Sequence, residues 1–354
     1  MAGLLTTIVA HAVSLDSLVN LPAMGVPVIN YTPETSWEFG AAAQGYFCLP
    51  NQTKTSIVQL DGAYTLKHQW YVNTSGTIYF GGGLPWQLQY KVGYSHRPTT
   101  YYGLGNQGNT GIGMRRQGTP FDLQRAYMDM QARISVGNNW SVGPLFDFQY
   151  QYAALSDTLI TYPKAVEWGL GAVAVYDTRD RVFYPTKGIF FKAAVTHYEK
   201  ALGCSARLTM LHLDLRQFVP LPHDFVWAWQ FRSQWVFSAG DVPYSMYPRL
   251  GGQDALRGIS SSMFRDDAMI ALQTEMRIPI WSVFRATVFA GIGDVYDIHD
   301  WQWAVPKVSY GLGLRMSINR AKVNIRFDVA RSNVDPRWNV AQAYSFYLTA
   351  TEAF

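Results

Sequence analysis

Hydrophobic and polar residues alternate with a period of two over long parts of this chain. The pattern is clearest after residue 224, where one face carries aromatic side chains and the other carries polar ones. The aromatic positions are Phe225, Trp227, Trp229, Phe231, Trp235 and Phe237, and the polar positions between them are Gln230, Arg232 and Gln234. Successive side chains of a β-strand point to opposite faces. This alternation predicts strands with one face toward lipid and the other toward water, as in a transmembrane β-barrel.

Runs with this alternation predict about sixteen strands. They lie near residues 23–32, 34–47, 53–66, 68–81, 86–96, 121–135, 139–152, 167–178, 187–199, 206–219, 223–239, 267–280, 283–295, 308–317, 321–331 and 343–354. If the chain begins on the periplasmic side, tight turns fall in the periplasm and the longer connections, such as 97–120 and 240–266, fall outside. We therefore predict an all-β fold in which residues 22–354 form a transmembrane antiparallel β-barrel.

The composition agrees with a barrel and argues against two other classes. Aromatic residues make up 15% of the 354 residues, charged residues make up another 15%, and the formal net charge is +4. No run of about 18 apolar residues is present to form a membrane-spanning helix. The net charge is too small and too dispersed to indicate binding to nucleic acid.

The start of the chain has some features of a secretory signal peptide. An apolar stretch runs from Gly3 to Ala10, and Ala10-His11-Ala12 has the small-x-small spacing of a cleavage site. No Lys or Arg precedes Lys54, although a signal peptide normally begins with basic residues. Residues 1–21 are therefore either a signal peptide or an N-terminal segment of the mature chain.

Residue types that carry catalysis or metal binding are not arranged for either. The seven histidines lack ligand spacing such as H-E-x-x-H, and no Ser-His-Asp or paired-carboxylate pattern stands out. Gly103, Gly105 and Gly108 match a dinucleotide fingerprint, but no helix-forming segment follows them. Cys48 and Cys204 fall at opposite ends of predicted strands, too far apart for a disulfide. We expect no enzymatic activity, no cofactor and no metal site.

Four segments carry a resemblance to a known family. Leu256-Arg257-Gly258-Ile259, together with the strands that follow it, resembles the loop-strand-strand signature of BamA/TamA-type outer-membrane barrels, the bacterial surface-antigen family. Tyr31–Thr35 and Tyr102–Asn106 resemble segments of Bacteroidetes-like relatives, and Asp177–Gly188 resembles the mid-barrel turn of the family. The resemblance extends from about residue 31 to the C-terminus.

The resemblance implies a long extracellular loop that folds back into the lumen and holds an Arg-Gly tip against the barrel wall. Charge-assisted hydrogen bonds can hold Arg257 in such a position. Glu275 is the expected partner, because it shares the lumen-facing parity of its strand with Gln273 and Arg277. The alternative is that Arg257 braces a plug and takes no part in transport.

Two glycines and the last strand complete the expected site. Gly258 lets the loop backbone turn or approach the wall closely. The family usually has an Asp at the position of Gly291, so the loop is expected to have one carboxylate anchor fewer. Phe346, Leu348 and the terminal Phe354 resemble the C-terminal assembly signal of outer-membrane barrels.

The resemblance also implies a location and a role. It implies the bacterial outer membrane, contact with its lipid and lipopolysaccharide, and action in protein assembly or translocation. The first predicted strand begins near residue 23, which leaves no room for the periplasmic POTRA domains of the family. Periplasmic or outer-membrane assembly proteins would then supply that function and deliver unfolded barrel clients. A passive outer-membrane channel and a structural subunit of an envelope complex are the alternatives.

The seam between the first and last strands is expected to be weak. Pro22 and Pro27 flank and interrupt the first strand, and each lacks a backbone N–H. Closure against the last strand would then be short of hydrogen bonds, so a client strand could pair there by β-augmentation. The alternative is that residues 1–30 are a linker and that the barrel closes elsewhere.

Overall fold

Sixteen antiparallel strands close into a barrel in the part of the chain that the computed structural model describes. The described residues are 23–49, 55–80, 86–106, 118–155, 159–182, 184–281, 283–301, 306–317, 324–334 and 344–349. The barrel strands are β1 (Ala23–Thr32), β2 (Ser36–Phe47), β3 (Ser56–Thr65), β4 (Trp70–Phe80), β5 (Trp86–Tyr101), β6 (Thr119–Gly137), β7 (Trp140–Ala153), β8 (Lys164–Asp177), β9 (Gly188–Tyr198), β10 (Leu208–Pro220), β11 (Val226–Ser238), β14 (Ala268–Trp281), β15 (Phe284–Tyr296), β16 (Lys307–Ser317), β17 (Asn324–Ser332) and β18 (Ser345–Thr349).

Each barrel strand pairs with its neighbours along the chain, and two further pairings complete the barrel. β11 pairs with β14, and β1 pairs with β18, where Tyr31 lies opposite Leu348. The predicted closed antiparallel barrel is therefore confirmed. The alternative that residues 1–30 form a linker is wrong from Ala23 onward, because β1 pairs with β2 from Ala23 to Thr32.

The period-two pattern of the sequence becomes an outer apolar face and an inner polar one. On β17, the Phe327 side chain is 42% exposed, whereas the neighbouring Arg326 and Asp328 are completely buried. On β11, Trp227 is exposed and Ala228 is buried. Outward apolar and inward polar side chains are what a barrel in a membrane requires. Among the described residues, no helix is long and apolar enough to cross a membrane.

Connections differ in length at the two ends of the barrel. At one end, here the tight-turn end, Asn138 and Asn139 join β6 to β7 with positive φ angles of 50° and 65°. Positive φ at both central residues is the requirement of a type I′ hairpin turn. The other end, here the long-loop end, carries residues 102–106, which follow β5, and residues 239–267. The described cysteines are both free, with Cys48 next to the tight-turn end of β2 and Cys204 between β9 and β10.

Two features go beyond the strand prediction. β5 and β6 are 16 and 19 residues long, and they extend farther toward the long-loop end than the predicted 86–96 and 121–135. Within residues 239–267, β12 (Arg249–Leu250) and β13 (Phe264–Arg265) form a separate two-stranded sheet. Two residues are too few to produce a periodic signal in the sequence. The candidate signal peptide (1–21), Pro22 and Phe354 lie outside the described residues.

Candidate functional site

Residues 239–267, which connect β11 to β14, are anchored by a buried apolar cluster. The connection contributes Leu250, Leu256, Ile259, Met263 and Phe264, and β14 and β15 contribute Met269, Ala271 and Val295. Met269 and Ala271 share the parity of Gln273 and Glu275, whereas Leu272 on the opposite parity is exposed on the outer face. The apolar side chains of the connection therefore pack on the inner face of the barrel wall.

Arg257 extends from this cluster to two carboxylates on the wall. Its Nη1 atom lies 3.0 Å from Glu275 Oε2 on β14 and 2.7 Å from Asp328 Oδ2 on β17. The remainder of the guanidinium lies over the Phe289 ring, 3.5 Å from its centroid, and Nε and Nη2 have no hydrogen-bond partner among the described residues. Charge-assisted hydrogen bonds and a cation–π contact together fix the orientation of Arg257.

Further arginines surround the two carboxylates. Arg277 Nε donates to Glu275 Oε1 at 3.0 Å, and Arg315 Nη2 lies 3.3 Å from Glu275 Oε2. Arg315 Nη1 also donates to Asp328 Oδ1. The network joins β14, β16 and β17 to residues 239–267, and these side chains are completely or almost completely buried. Removal of one member of a buried ion pair is strongly destabilising, because the remaining charge loses its compensation.

The three predicted wall residues make different contacts. Glu275 contacts Arg257 as described above. Gln273 Nε2 donates to the backbone oxygen of Asp254 at 3.1 Å, so it also contacts the connection. Arg277 instead braces Glu275 from the other side, and its Nη1 donates at 2.8 Å to the backbone oxygen of Pro185 in the turn between β8 and β9. That turn therefore contacts the same charge network.

Gly258 lies close to the wall strand β17. Its φ is +96°, and a Cβ atom there would lie 3.2 Å from the backbone carbon of Arg331 and 3.3 Å from the Ala330 Cβ. Its N–H donates to the Tyr347 hydroxyl on β18 at 2.9 Å. Both the conformation and the space at this position require glycine.

Replacing Gly258 with Ala should therefore destabilise the barrel by more than the φ angle alone explains. Gly203→Ala is the matched control, because Gly203 also has a φ of +96° and has nothing within 4 Å of an added Cβ. A left-handed non-glycine residue costs about 1–2 kcal/mol, and overpacking against the wall adds about 1–3 kcal/mol. The measurement is thermal unfolding of both variants in detergent. Equal losses of Tm would contradict the close approach of Gly258 to the wall.

Gly291 has a different role from the expected one. A Cβ atom at this position would lie 2.6 Å from the Leu256 Cδ1 atom, so the missing side chain leaves space for Leu256. The family usually has a carboxylate at the position of Gly291. In this protein Asp328, on a different strand, provides a second carboxylate for Arg257. Asp328, Arg315 and Tyr347 were not predicted as members of the site. The inward parity of Asp328 in its alternating strand was the available signal, but parity does not show which inward residues meet.

The connection also contacts β18 and the turn that follows β1, next to the seam. The Gly258 N–H bonds to Tyr347 on β18, and the Ser261 N–H donates to Glu34 Oε1, just after β1, at 3.3 Å. Burial raises the pKa of the Glu34 carboxyl, and the hydrogen bond from Ser261 partly offsets that rise. Gly258 and Ser261, three residues apart in one loop, therefore contact the barrel on the two sides of its closure.

The outer face of β18 carries the described part of the expected assembly signal. Phe346 is exposed on the outer face and stacks on Phe327 of β17, with ring centroids 6.5 Å apart. Leu348 lies opposite Tyr31. No group of three or more His, Cys, Asp and Glu side chains among the described residues could hold a metal ion.

A closed barrel with an apolar outer face and a buried charge network inside defines a transmembrane β-barrel protein. The sequence matches the Omp85 superfamily domain over residues 64–354, and the chain belongs to this superfamily. Comparison with the sequences of curated proteins gives no match.

Solved structures of three bacterial proteins have a similar fold. BamA from Haemophilus ducreyi lacking POTRA domains 1–3 superimposes with a TM-score of 0.68 and 14% identity, covering 93% of this chain and 70% of that one. CdiB from Acinetobacter baumannii has a TM-score of 0.62 and 12% identity, and the match covers 92% of this chain and 59% of that one. CdiB from Escherichia coli has a TM-score of 0.63 and 12% identity, and the match covers 94% of this chain and 63% of that one. The chain thus spans less than two thirds of the length of the CdiB structures.

Proposed function

We propose that this chain is an outer-membrane barrel that acts in the assembly or translocation of other proteins. The observation that carries the proposal is the contact of one loop with β18, through Gly258 to Tyr347, and with the turn that follows β1, through Ser261 to Glu34. A loop in this position can keep the barrel closed and can release the seam when it moves. Membership of the Omp85 superfamily supports the same class of role.

Residues 239–267 are the lumen loop in this proposal. Leu256 and Ile259 pack the loop against the inner wall, and Arg257 forms ion pairs with Glu275 and Asp328. These ion pairs can break without any covalent change, because water or a client side chain can replace each hydrogen bond. Arg257 is thus the residue whose release opens the lumen.

The seam is the proposed place of client pairing. At the seam, Tyr31 of β1 lies opposite Leu348 of β18. β1 contains Pro27, which has no N–H for the ladder. An edge strand interrupted in this way can accept a client strand by β-augmentation.

The proposed environment is the bacterial outer membrane with its lipid and lipopolysaccharide. Exposed apolar side chains lie on strands around the barrel, including Leu60, Val72, Leu170 and Leu312. Such a surface is stable against acyl chains and not against water. Periplasmic or outer-membrane assembly proteins are the proposed partners, and unfolded barrel proteins are the proposed clients.

Reconstitution in liposomes tests this function. An unfolded eight-stranded outer-membrane barrel, diluted from urea, should fold faster into liposomes that contain the protein than into empty ones. Cross-linking a Tyr31→Cys, Leu348→Cys variant across the seam should abolish that acceleration. The matched control is a cross-linked Leu215→Cys, Phe231→Cys variant, whose cysteines lie opposite each other on β10 and β11. Equal folding rates with and without the protein would contradict the assembly role.

A passive channel is the second candidate, and the interior of the barrel favours it. A cavity of about 1010 Å³ lies inside the wall and is lined largely by polar side chains. A channel would give a large, steady ion conductance in wild-type protein and would not change the folding rate of a client. The liposome assay and planar-bilayer recording therefore separate the two candidates.

A further inference from the structure

The interior cavity extends from the tight-turn end to the lumen loop. Its lining includes Ile57 at the start of β3 and Val182 in the turn between β8 and β9. At the opposite side it is lined by Arg249, Gly251 and Arg265 of residues 239–267. The lumen loop therefore borders this cavity at the long-loop end, and two of its lining residues carry guanidinium groups.

Strand alternation within the loop brings two of these arginines together. Arg249 and Arg265 are direct partners in the β12–β13 sheet, and Leu250 pairs with Phe264 next to them. Leu250 and Phe264 are buried in the apolar cluster, so Arg249 and Arg265 lie on the opposite face of the sheet. Directly opposed residues of an antiparallel pair have Cβ atoms about 4.5–5.5 Å apart, and like charges there are destabilising.

The wall adds two more arginines near this pair. Ser95 of β5 is the partner of Arg125 on β6, which makes Arg97 a diagonal neighbour of Arg125 on the same face. Arg125 lines the same cavity as Arg249 and Arg265, and Arg97 is the neighbour of Arg125 on the wall. These four side chains are here called the arginine cluster.

No member of the arginine cluster has a carboxylate within 4.0 Å among the described residues, in contrast to Arg257 and Arg315. Arg125 Nη2 donates to the amide oxygen of Gln149 at 3.0 Å, and Arg265 Nη1 donates to the backbone oxygen of Tyr244 at 3.1 Å. The Nε atoms of Arg125 and Arg265 are buried and have no hydrogen-bond acceptor among the described residues.

Asp61, Asp129, Asp147, Asp214 and Asp254 line the same cavity, and none of them lies within 4.0 Å of a side-chain nitrogen atom of the arginine cluster. Asp147 accepts hydrogen bonds from the Tyr198 hydroxyl at 2.7 Å and from Gln149 at 3.1 Å. Asp214 accepts from Arg216, which is not a member of the arginine cluster. The buried Nε–H groups of the cluster therefore lack a negatively charged partner from the described part of the chain.

We propose that the arginine cluster is a binding site for a multivalent oxyanion, such as a polyphosphate or the phosphate group of a lipid. Guanidinium forks match the geometry of phosphate oxygens and bind them with charge-assisted hydrogen bonds. A bound anion would contact the guanidinium of Arg249, which is exposed and lines the cavity, and would relieve the repulsion between Arg249 and Arg265. The site is separate from the Arg257 network, and it does not depend on a role of the barrel in protein assembly.

Titration with tripolyphosphate at constant ionic strength tests the site. In uncharged detergent, the Tm of wild-type protein should rise and then saturate, because a ligand that binds only the folded state stabilises it. The apparent affinity should weaken by at least about tenfold in Arg249→Gln, which loses a charge-assisted bidentate contact. Arg97→Gln, a second variant on the wall, should weaken binding in the same direction. Arg216→Gln is the control, because this arginine already has Asp214 as its partner.

A second series replaces the soluble anion with phosphatidylglycerol. Stabilisation by tripolyphosphate would show that a soluble anion is sufficient. Stabilisation only by phosphatidylglycerol would identify a lipid headgroup as the ligand. Either result supports the site if Arg249→Gln weakens binding and Arg216→Gln does not. The proposal is overturned if neither series saturates, or if Arg249→Gln and Arg97→Gln bind as tightly as wild-type protein.

Discussion

Glu275→Gln is expected to release the lumen loop from the wall and to raise the ion conductance of the barrel. The Glu275 carboxylate lies within 3.3 Å of nitrogen atoms of Arg257, Arg277 and Arg315. A neutral amide in its place removes the negative charge that faces three buried cations, of which Arg257 and Arg315 keep Asp328 as a partner. Breaking a buried ion pair in this way costs about 3–5 kcal/mol. Planar-bilayer recording measures the conductance, and thermal unfolding in detergent measures the loss of stability.

Glu167→Gln is the control for this prediction. Glu167 is also a buried carboxylate on the wall, but its Oε1 accepts from the Ala206 N–H in the β9–β10 connection, at 3.0 Å. Its replacement should leave the conductance unchanged, even if stability falls. If Glu275→Gln and Glu167→Gln gave the same conductance, the Arg257 contact would not be what holds the lumen loop.

The sequence was sufficient to locate the strands because the barrel repeats one simple signal. Phe327 outside and Asp328 inside follow from alternation alone, and the same rule applies to each strand. A buried helix or an irregular domain has no such rule. The β12–β13 sheet escaped prediction because Arg249–Leu250 and Phe264–Arg265 are too short to alternate.

The charge network could be predicted only in part, for a different physical reason. Glu275 was found because it lies near Arg257 in sequence and on the inward face of the following strand. Asp328 lies 71 residues from Arg257, and only the strand register brings the two together. Registers of a closed barrel depend on every turn between the two residues. The arginine cluster likewise depends on β5, β6 and the lumen loop meeting across the interior.

Hydrogen exchange should be fastest at the seam among the strand pairs of the barrel. β1 contains Pro27, which has no N–H to donate to the ladder, whereas β10 and β11 pair continuously from Leu208 and Ser238 to Pro220 and Val226. Local opening needs less free energy where the ladder is interrupted, so seam amides should exchange at least about 100-fold faster than those of β10–β11. Mass spectrometry of protein in liposomes provides the measurement.

The amides of β1 that bond to β2 are an internal control, because that register is continuous from Ala23 to Thr32. Fast exchange only on the side of β1 that faces β18 would locate the opening at the seam, whereas fast exchange on both sides would mean that the whole strand frays. Seam amides as slow as those of β10–β11 would exclude client pairing at this edge. The contacts of Gly258 with β18 and of Ser261 with the turn after β1 would then only strengthen the closed barrel, and any client would have to enter through the lumen.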